Sequence, residues 1–275
     1  MVKILDGKKL SLTLKEELKS KFDSIKQHLK LAIIMPICDD ASIAYLNSRE
    51  RLCKEFNIEL CVYKFDGNET TEELVELVKK LNLDDSIQGI MIDRPFPKQV
   101  NEDKVYEFLD YRKDIDGCSL ISCGKLFQAQ DCLVSSTAVG VMTLLKYYNI
   151  DLVGKNVVIV NRSKIVGIPL MHLLLKENST VTICHSKTKN LARICSKADI
   201  IITAIGKAKY FTKEYVNAKT TIIDVGINYD ENNKICGDVD QEVYEIVDSY
   251  SPVPGGVGPV TNIALLLNLL KTFEI

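Results

Sequence analysis

The sequence contains no Cys-x-x-Cys pair and only three histidines, none spaced with the nine cysteines as zinc ligands are. An odd number of thiols without paired spacings fits reduced, mostly buried cysteines better than a disulfide framework, and no metal is expected. Long apolar runs are missing too. Residues 1–9 lack the apolar stretch of a signal peptide, and the most apolar run near the end, residues 263–270, is far too short to span a bilayer. The expectation is a cytoplasmic protein with no membrane partner. Net charge is −2 with Lys and Arg scattered, so the basic stripe of a nucleic-acid binder is absent. Anionic ligands must be met locally. The Gly-x-Gly-x-x-Gly fingerprint of dinucleotide-binding folds is also absent.

What is present is an ordinary globular composition. The 275 residues, 46% hydrophobic and 26% charged, suffice for two modest domains or one large one. Apolar runs at 31–37, 58–65 and 89–92 read as strands, separated by helical periodicity at 42–56 and 70–81. A less regular stretch follows over 114–134. The alternation then resumes with strands at 156–160, 180–184, 200–204 and 221–225, and a leucine-striped helix over 261–273 closes the chain. Val- and Ile-rich strands separated by helices belong in parallel sheets covered on both faces, so the fold class is α/β with two such units.

Three segments carry chemistry. Residues 252–259 hold three glycines and three prolines in eight positions, a loop stiff at prolines such as Pro254 and bare enough at Gly255 and Gly256 for backbone to press on a flat ligand. The alternative is a plain turn. The strand at 156–160 runs through Asn161, Arg162 and Ser163 into a helix, where a Rossmann-type fold presents helix N-terminal amides to a pyrophosphate. The next strand ends at His185 and Ser186, about where a carboxylate would grip the ribose of NAD, and there is none. Arg162 and Ser186 offer a cation and a donor instead, which suit the extra phosphate of NADP, although Arg162 also reads as a solvated turn residue and His185 as a structural one. In the first half, Ser42, Tyr45 and Arg49 share one helix face. Asp93 ends the third strand, and Asp116 precedes Gly117. Tyr45 can equally be a core tyrosine and Asp116 a turn former.

The order of these motifs resembles the methylenetetrahydrofolate dehydrogenase/cyclohydrolase family. The matching residues are Ala41-Ser42-x-x-Tyr45, Pro95-x-Pro97, Lys113-Asp114-Ile115-Asp116-Gly117, Arg162-Ser163-x-Ile165-Val166-Gly167-x-Pro169, Cys184-His185-Ser186-x-Thr188, Asp224-Val225-Gly226-Ile227-Asn228, Gly237-Asp238-Val239 and the loop at 252–259. The resemblance implies a folate-binding catalytic domain over 1–119, completed by the helix at 260–275, and a Rossmann-type NADP-binding domain over 120–259, set around a cleft in a homodimer. It implies oxidation of methylenetetrahydrofolate with NADP and hydrolysis of the methenyl product to formyltetrahydrofolate. Tyr45, Arg49, Asp93 and Asp116 then fall in catalytic positions. Ser42, Tyr45, Asp116, Pro254, Gly255 and Gly256 fall against tetrahydrofolate derivatives, and Asn161, Arg162, Ser163, Ser186 and Ile227 against NADP.

The chain departs from the family where chemistry is costly. Arg49 stands for a lysine, Asp93 for a glutamine, Asn161 for a glycine, and Ser135-Ser136-Thr137-Ala138 for Pro-Cys-Thr-Pro. A lysine can lose its proton once desolvated and an arginine effectively cannot. Hydrolysis, which moves protons, is therefore expected to weaken more than hydride transfer. Two rival readings are a non-catalytic paralogue that binds folate or NADP as a regulator or partner, and an enzyme of the amino-acid-dehydrogenase type on the same fold.

Overall fold

The computed structural model describes residues 2–38 and 40–274. The side chains of Asp40, Ala41 and Ala44 lie outside the described set, Ala41 of the quoted motif among them. In chain order the elements are β1 (Lys3–Ile4), α1 (Gly7–Asp23), β2 (Leu29–Met35), α2 (Asp40–Glu55), β3 (Ile58–Lys64), α3 (Thr71–Asn82), β4 (Gly89–Ile92), α4 (Glu102–Phe108), α5 (Leu120–Phe127) and α6 (Ser136–Tyr147). They continue with β5 (Asn156–Val160), α7 (Gly167–Lys176), β6 (Thr180–Cys184), α8 (Leu191–Cys195), β7 (Ile200–Thr203), β8 (Thr221–Asp224), β9 (Asn228–Tyr229), β10 (Ile235–Cys236), β11 (Ser249–Tyr250) and α9 (Val257–Lys271). The expected α/β class is observed.

The chain divides into two units, one of residues 1–14 and 137–264, the other of residues 15–136 and 265–275. The division falls at 136/137 rather than the expected 119/120. The first residues group with the later stretch because β1 pairs in parallel with β11.

In the unit of residues 15–136 and 265–275, a parallel sheet has the order β3-β2-β4. Its strands form because apolar side chains are buried on both faces: every residue of β4 is buried, and Leu31 to Met35 of β2 likewise. Helix α3 starts at a capping box, with Thr70 Oγ1 accepting the Glu73 N–H and Glu73 Oε2 accepting the Thr70 N–H. It buries Leu74, Val75, Val78 and Leu81 against Ile34, Ile90 and Ile92. Each such side chain contributes roughly 1.5–3 kcal/mol of apolar burial. The irregular stretch at 114–134 contains α5, begun by the Ser119 side chain accepting the Ser122 N–H.

The unit of residues 1–14 and 137–264 carries a six-stranded parallel sheet ordered β1-β11-β8-β7-β5-β6. Strands β5, β7 and β8 are almost wholly buried, whereas the edge strand β6 exposes Thr180 and Thr182. The chain winds from β5 to β6 on one side and then returns to place β7 on the other. In open α/β sheets ligands bind outside the carboxyl ends of the strands beside such a reversal.

Helix α9 begins at Val257, four residues before the expected start, because Gly258 and Pro259 sit in its first turn. There proline's missing N–H costs nothing. Near its other end the buried Asn268 donates from Nδ2 to the carbonyls of Ile115 and Val134, both at 2.7 Å. Asn268→Leu strands both carbonyls. The expected loss is on the order of 2–4 kcal/mol of unfolding free energy, read as a lower denaturant midpoint. An unchanged midpoint contradicts this role.

Candidate functional site

In the unit of residues 15–136 and 265–275, the reversal of winding lies beside β2, with α2 leaving that strand and Asp93 ending β4. Arg49 of α2 and Asp93 meet there. Arg49 Nη1 donates to both carboxylate oxygens, at 2.7 and 2.8 Å, and the side chains are 12% and 8% exposed. One nitrogen serves both oxygens, a narrower grip than two parallel N–H···O bonds. Tyr45, one turn earlier, is 46% exposed, with the Arg49 guanidinium carbon 5.8 Å from its ring centroid. The core-tyrosine alternative is thereby removed. Ser42 on the same helix is buried.

Asp114 and Asp116 are both tied to backbone N–H groups. The buried Asp114 shapes the turn, with Oδ2 accepting the Ser119 N–H at 2.7 Å. Asp116 is half-buried, and its Oδ1 accepts the Ser136 N–H at 3.0 Å. Burial pushes the Asp116 carboxyl up to about 6, with Asp114 adding to the rise, while the Ser136 N–H and the Arg49 and Arg94 guanidiniums oppose it. Its charge therefore changes just below neutral pH.

Two residues of this cluster were missed from sequence. Arg94 binds Glu102 at 2.5 Å, lies 5.1 Å from the Tyr106 ring centroid and bears on Asp116 electrostatically. The buried Ser136 holds Asp116 through its N–H, and among the described residues its Oγ has no hydrogen-bond partner. The available signals were the charge of Arg94 next to Asp93 and the polar Ser135-Ser136 step.

In the unit of residues 1–14 and 137–264, Asn161, Arg162 and Ser163 follow β5, and Ser186 follows β6, the neighbouring strand. Arg162 and Ser186 are exposed. Asn161, expected against a cofactor, spends its amide within the protein. Its Nδ2 donates to the Ala204 carbonyl at 2.6 Å, and its Oδ1 accepts the N–H groups of Ser163 and Gly167 at 2.7 and 3.0 Å. Ser163 accepts from Val166 through Oγ and from Ile168 through its carbonyl. The first amides of α7 are thus satisfied internally rather than presented to a pyrophosphate. A glycine at 161 would have had no side chain to take them. Arg162 is left facing solvent. His185 has the structural role, its Nδ1 accepting the Lys187 N–H.

Ile227, 47% exposed, follows β8, two strands beyond β5. The turn that carries it is tied down by two buried carboxylates. Asp238 accepts from Thr203 Oγ1 at 3.0 Å, the Ile205 N–H at 2.7 Å, the Lys207 N–H at 2.9 Å and Asn228 Nδ2 at 3.0 Å. Asp224 accepts the N–H groups of Gly226, Asp238 and Val239 at 2.9, 3.1 and 2.9 Å.

The glycine-rich loop is braced within the protein itself. A Cβ on Gly256 would lie 2.6 Å from the Pro252 carbonyl oxygen, and Gly255 has φ of +110° while its carbonyl accepts the Lys8 N–H. These two glycines are required by packing within the protein itself. Pro254 is exposed. All nine cysteines are free thiols, four of them buried, and burial pushes Cys53 and Cys195 up to about 12. Among the described residues no helix is long and apolar enough to cross a membrane.

Comparison with known proteins places both stretches in one family. Residues 5–116 match the catalytic domain of tetrahydrofolate dehydrogenase/cyclohydrolase, and residues 135–275 match its NAD(P)-binding domain. The bifunctional protein FolD of Lachnoclostridium phytofermentans is 44% identical over 98% of this chain and 96% of its own. The crystal structure of the bifunctional FolD dehydrogenase/cyclohydrolase from Campylobacter jejuni is 40% identical, with a TM-score of 0.95 over 100% of this chain and 99% of that one. The Trypanosoma brucei dehydrogenase-cyclohydrolase, solved with NADP and an inhibitor, is 27% identical with a TM-score of 0.92 over 99% and 97% of the two chains. Over nearly its whole length, the chain belongs to the tetrahydrofolate dehydrogenase/cyclohydrolase family.

Proposed function

We propose that this protein oxidises methylenetetrahydrofolate with NADP and hydrolyses the methenyl product to formyltetrahydrofolate, hydrolysis being the slower step. Family membership across both stretches supports the two reactions over the non-catalytic reading. The Arg49–Asp93 ion pair is the observation that supports this order.

NADP, when bound, supplies the hydride acceptor. Arg162 and Ser186, exposed at the ends of neighbouring strands, suit its 2′-phosphate, and Ile227 suits the nicotinamide end. Ser163 joins them through the backbone it shapes. Asp116, when ionised, accepts the paired N–H donors of a pterin edge, and the exposed Tyr45 ring offers a stacking face. Hydride departure from the methylene carbon is driven by the adjacent nitrogen lone pair, so the protein has to place the substrate rather than move a proton. Hydrolysis is different. Water adds to the methenyl carbon and loses one proton, then the carbon–nitrogen bond breaks as the nitrogen gains a proton and the new hydroxyl gives up its own to leave the formyl carbonyl. A guanidinium does not release protons near neutral pH, and both Asp93 oxygens are engaged by Arg49. A homodimer, implied by the family resemblance, completes the proposal. Sedimentation as a monomer removes that part.

Three outcomes follow from these roles. Arg162→Ala should raise the KM for NADP about ten- to a hundredfold with little change for NAD, the span expected for a charge-assisted contact. Equal losses with both cofactors take Arg162 out of the phosphate site. Because burial raises the Asp116 carboxyl to about 6, the ionised acceptor is present above that pH and lost as pH falls through it. Folate affinity measured by calorimetry from about pH 5 to about pH 8 should weaken on the acid side, and Asp116→Asn should bind weakly at every pH. A flat wild-type profile contradicts the assignment. Finally, Arg49→Lys combined with Asp93→Gln should raise methenyl hydrolysis by more than the product of the single effects, since contacting residues couple by roughly 0.5–3 kcal/mol. Hydrolysis as fast as NADP reduction in the unmodified protein, and lost on Asp93→Asn, would instead make Asp93 the base.

A further inference from the structure

The Asp238 carboxylate is buried, accepts four hydrogen bonds and, among the described residues, has no ion-pair partner. Its donors come from the end of β7, from the turn after it and from Asn228, which opens β9 beyond the turn after β8. Asp224 fixes Asp238 in turn by accepting its N–H. Two glycines let the carboxylates approach. A Cβ on Gly226 would lie 2.3 Å from the Asp238 carboxylate, and one on Gly237 would lie 1.9 Å from Asp224 Oδ2. Such a dense set of neutral donors on one buried charge is costly to assemble for a turn alone, since a buried carboxylate needs every one of its hydrogen bonds.

The strand order says what the clamp serves. In a sheet wound this way the dinucleotide lies across the strand ends at the reversal beside β5, with its adenine ribose over β6 and its other half over β7 and β8. The two turns held by Asp238, residues 204–207 and 226–228, are those on the second side. We propose that Asp238 is a positioning residue for the nicotinamide half of the dinucleotide, holding both turns in the form that receives it. The proposal rests on the NADP reading above and adds a residue that does not itself touch the cofactor.

The test compares NADP with 2′-phospho-ADP-ribose, which lacks the nicotinamide ring, using titration calorimetry on the full chain. In Asp238→Asn an NH2 group replaces one accepting oxygen and faces two donors, so one turn must move away. NADP binding should weaken by about tenfold or more while the truncated ligand changes by less than about twofold. Thr203→Val removes a single donor with little change of shape, and should shift the same ratio in the same direction by roughly threefold even if Asp238→Asn fails to fold. Equal weakening of both ligands, or no change in either variant, overturns the positioning role. Wild-type protein that binds neither ligand overturns the NADP reading and this proposal together, whereas normal wild-type binding with unaffected variants overturns this proposal alone.

Discussion

Each of the two parallel sheets reverses its winding beside one strand, β2 in one unit and β5 in the other, and this reversal dictates where polar side chains must go. On either side of it the loops depart in opposite directions, so no ladder of backbone hydrogen bonds can close the gap at the strand ends. Buried polar groups there need partners all the same. Side chains supply them. In the first case Arg49 reaches Asp93, and in the second Asn161 reaches the Ala204 carbonyl while Asp238 gathers the turns beyond. The same places are where such sheets bind ligands, so groups that complete the fold and groups that meet a substrate compete for the same few positions.

That competition explains the most consequential feature of the chain. Arg49 and Asp93 carry opposite charge, are nearly buried and satisfy each other. Removing either alone leaves a buried charge unpaired, which typically costs 3–5 kcal/mol, so the pair holds its geometry firmly. A firm ion pair is good for placing a substrate and poor for passing protons. Asp116, by contrast, keeps one oxygen outside its bond to Ser136 and is raised toward neutrality by burial, which leaves it responsive to what approaches.

Much of the architecture was legible because parallel strands announce themselves. Runs such as those of β4, β5 and β6 are bounded by polar turns, and their limits agree with the sequence reading to the residue. Helix α5 hid in the stretch from 114 because its start depends on the side chain of Ser119, which also reads as a loop residue. Strand β1 is two residues long and exists through its pairing with β11, far away in sequence. The shared helix face of Tyr45 and Arg49 was readable from helical spacing. The bracing role of Asn161 was not, since its type fits cofactor binding and loop bracing equally, and the bracing shows only once Ala204, Ser163 and Gly167 are in place. The close approach expected at this loop is present within the protein itself, where a Cβ on Gly256 would meet the Pro252 carbonyl, while Gly255 is called for by its positive φ.

The central claim is that the Arg49–Asp93 pair permits oxidation and slows hydrolysis. Stopped-flow mixing of the unmodified protein with methylenetetrahydrofolate and NADP, following NADPH and the methenyl chromophore together, tests it most directly. The account predicts that methenyltetrahydrofolate accumulates in solution as NADPH forms and decays later at a slower rate. NADPH formation with no methenyl accumulation, formyltetrahydrofolate appearing at the same rate, would contradict it.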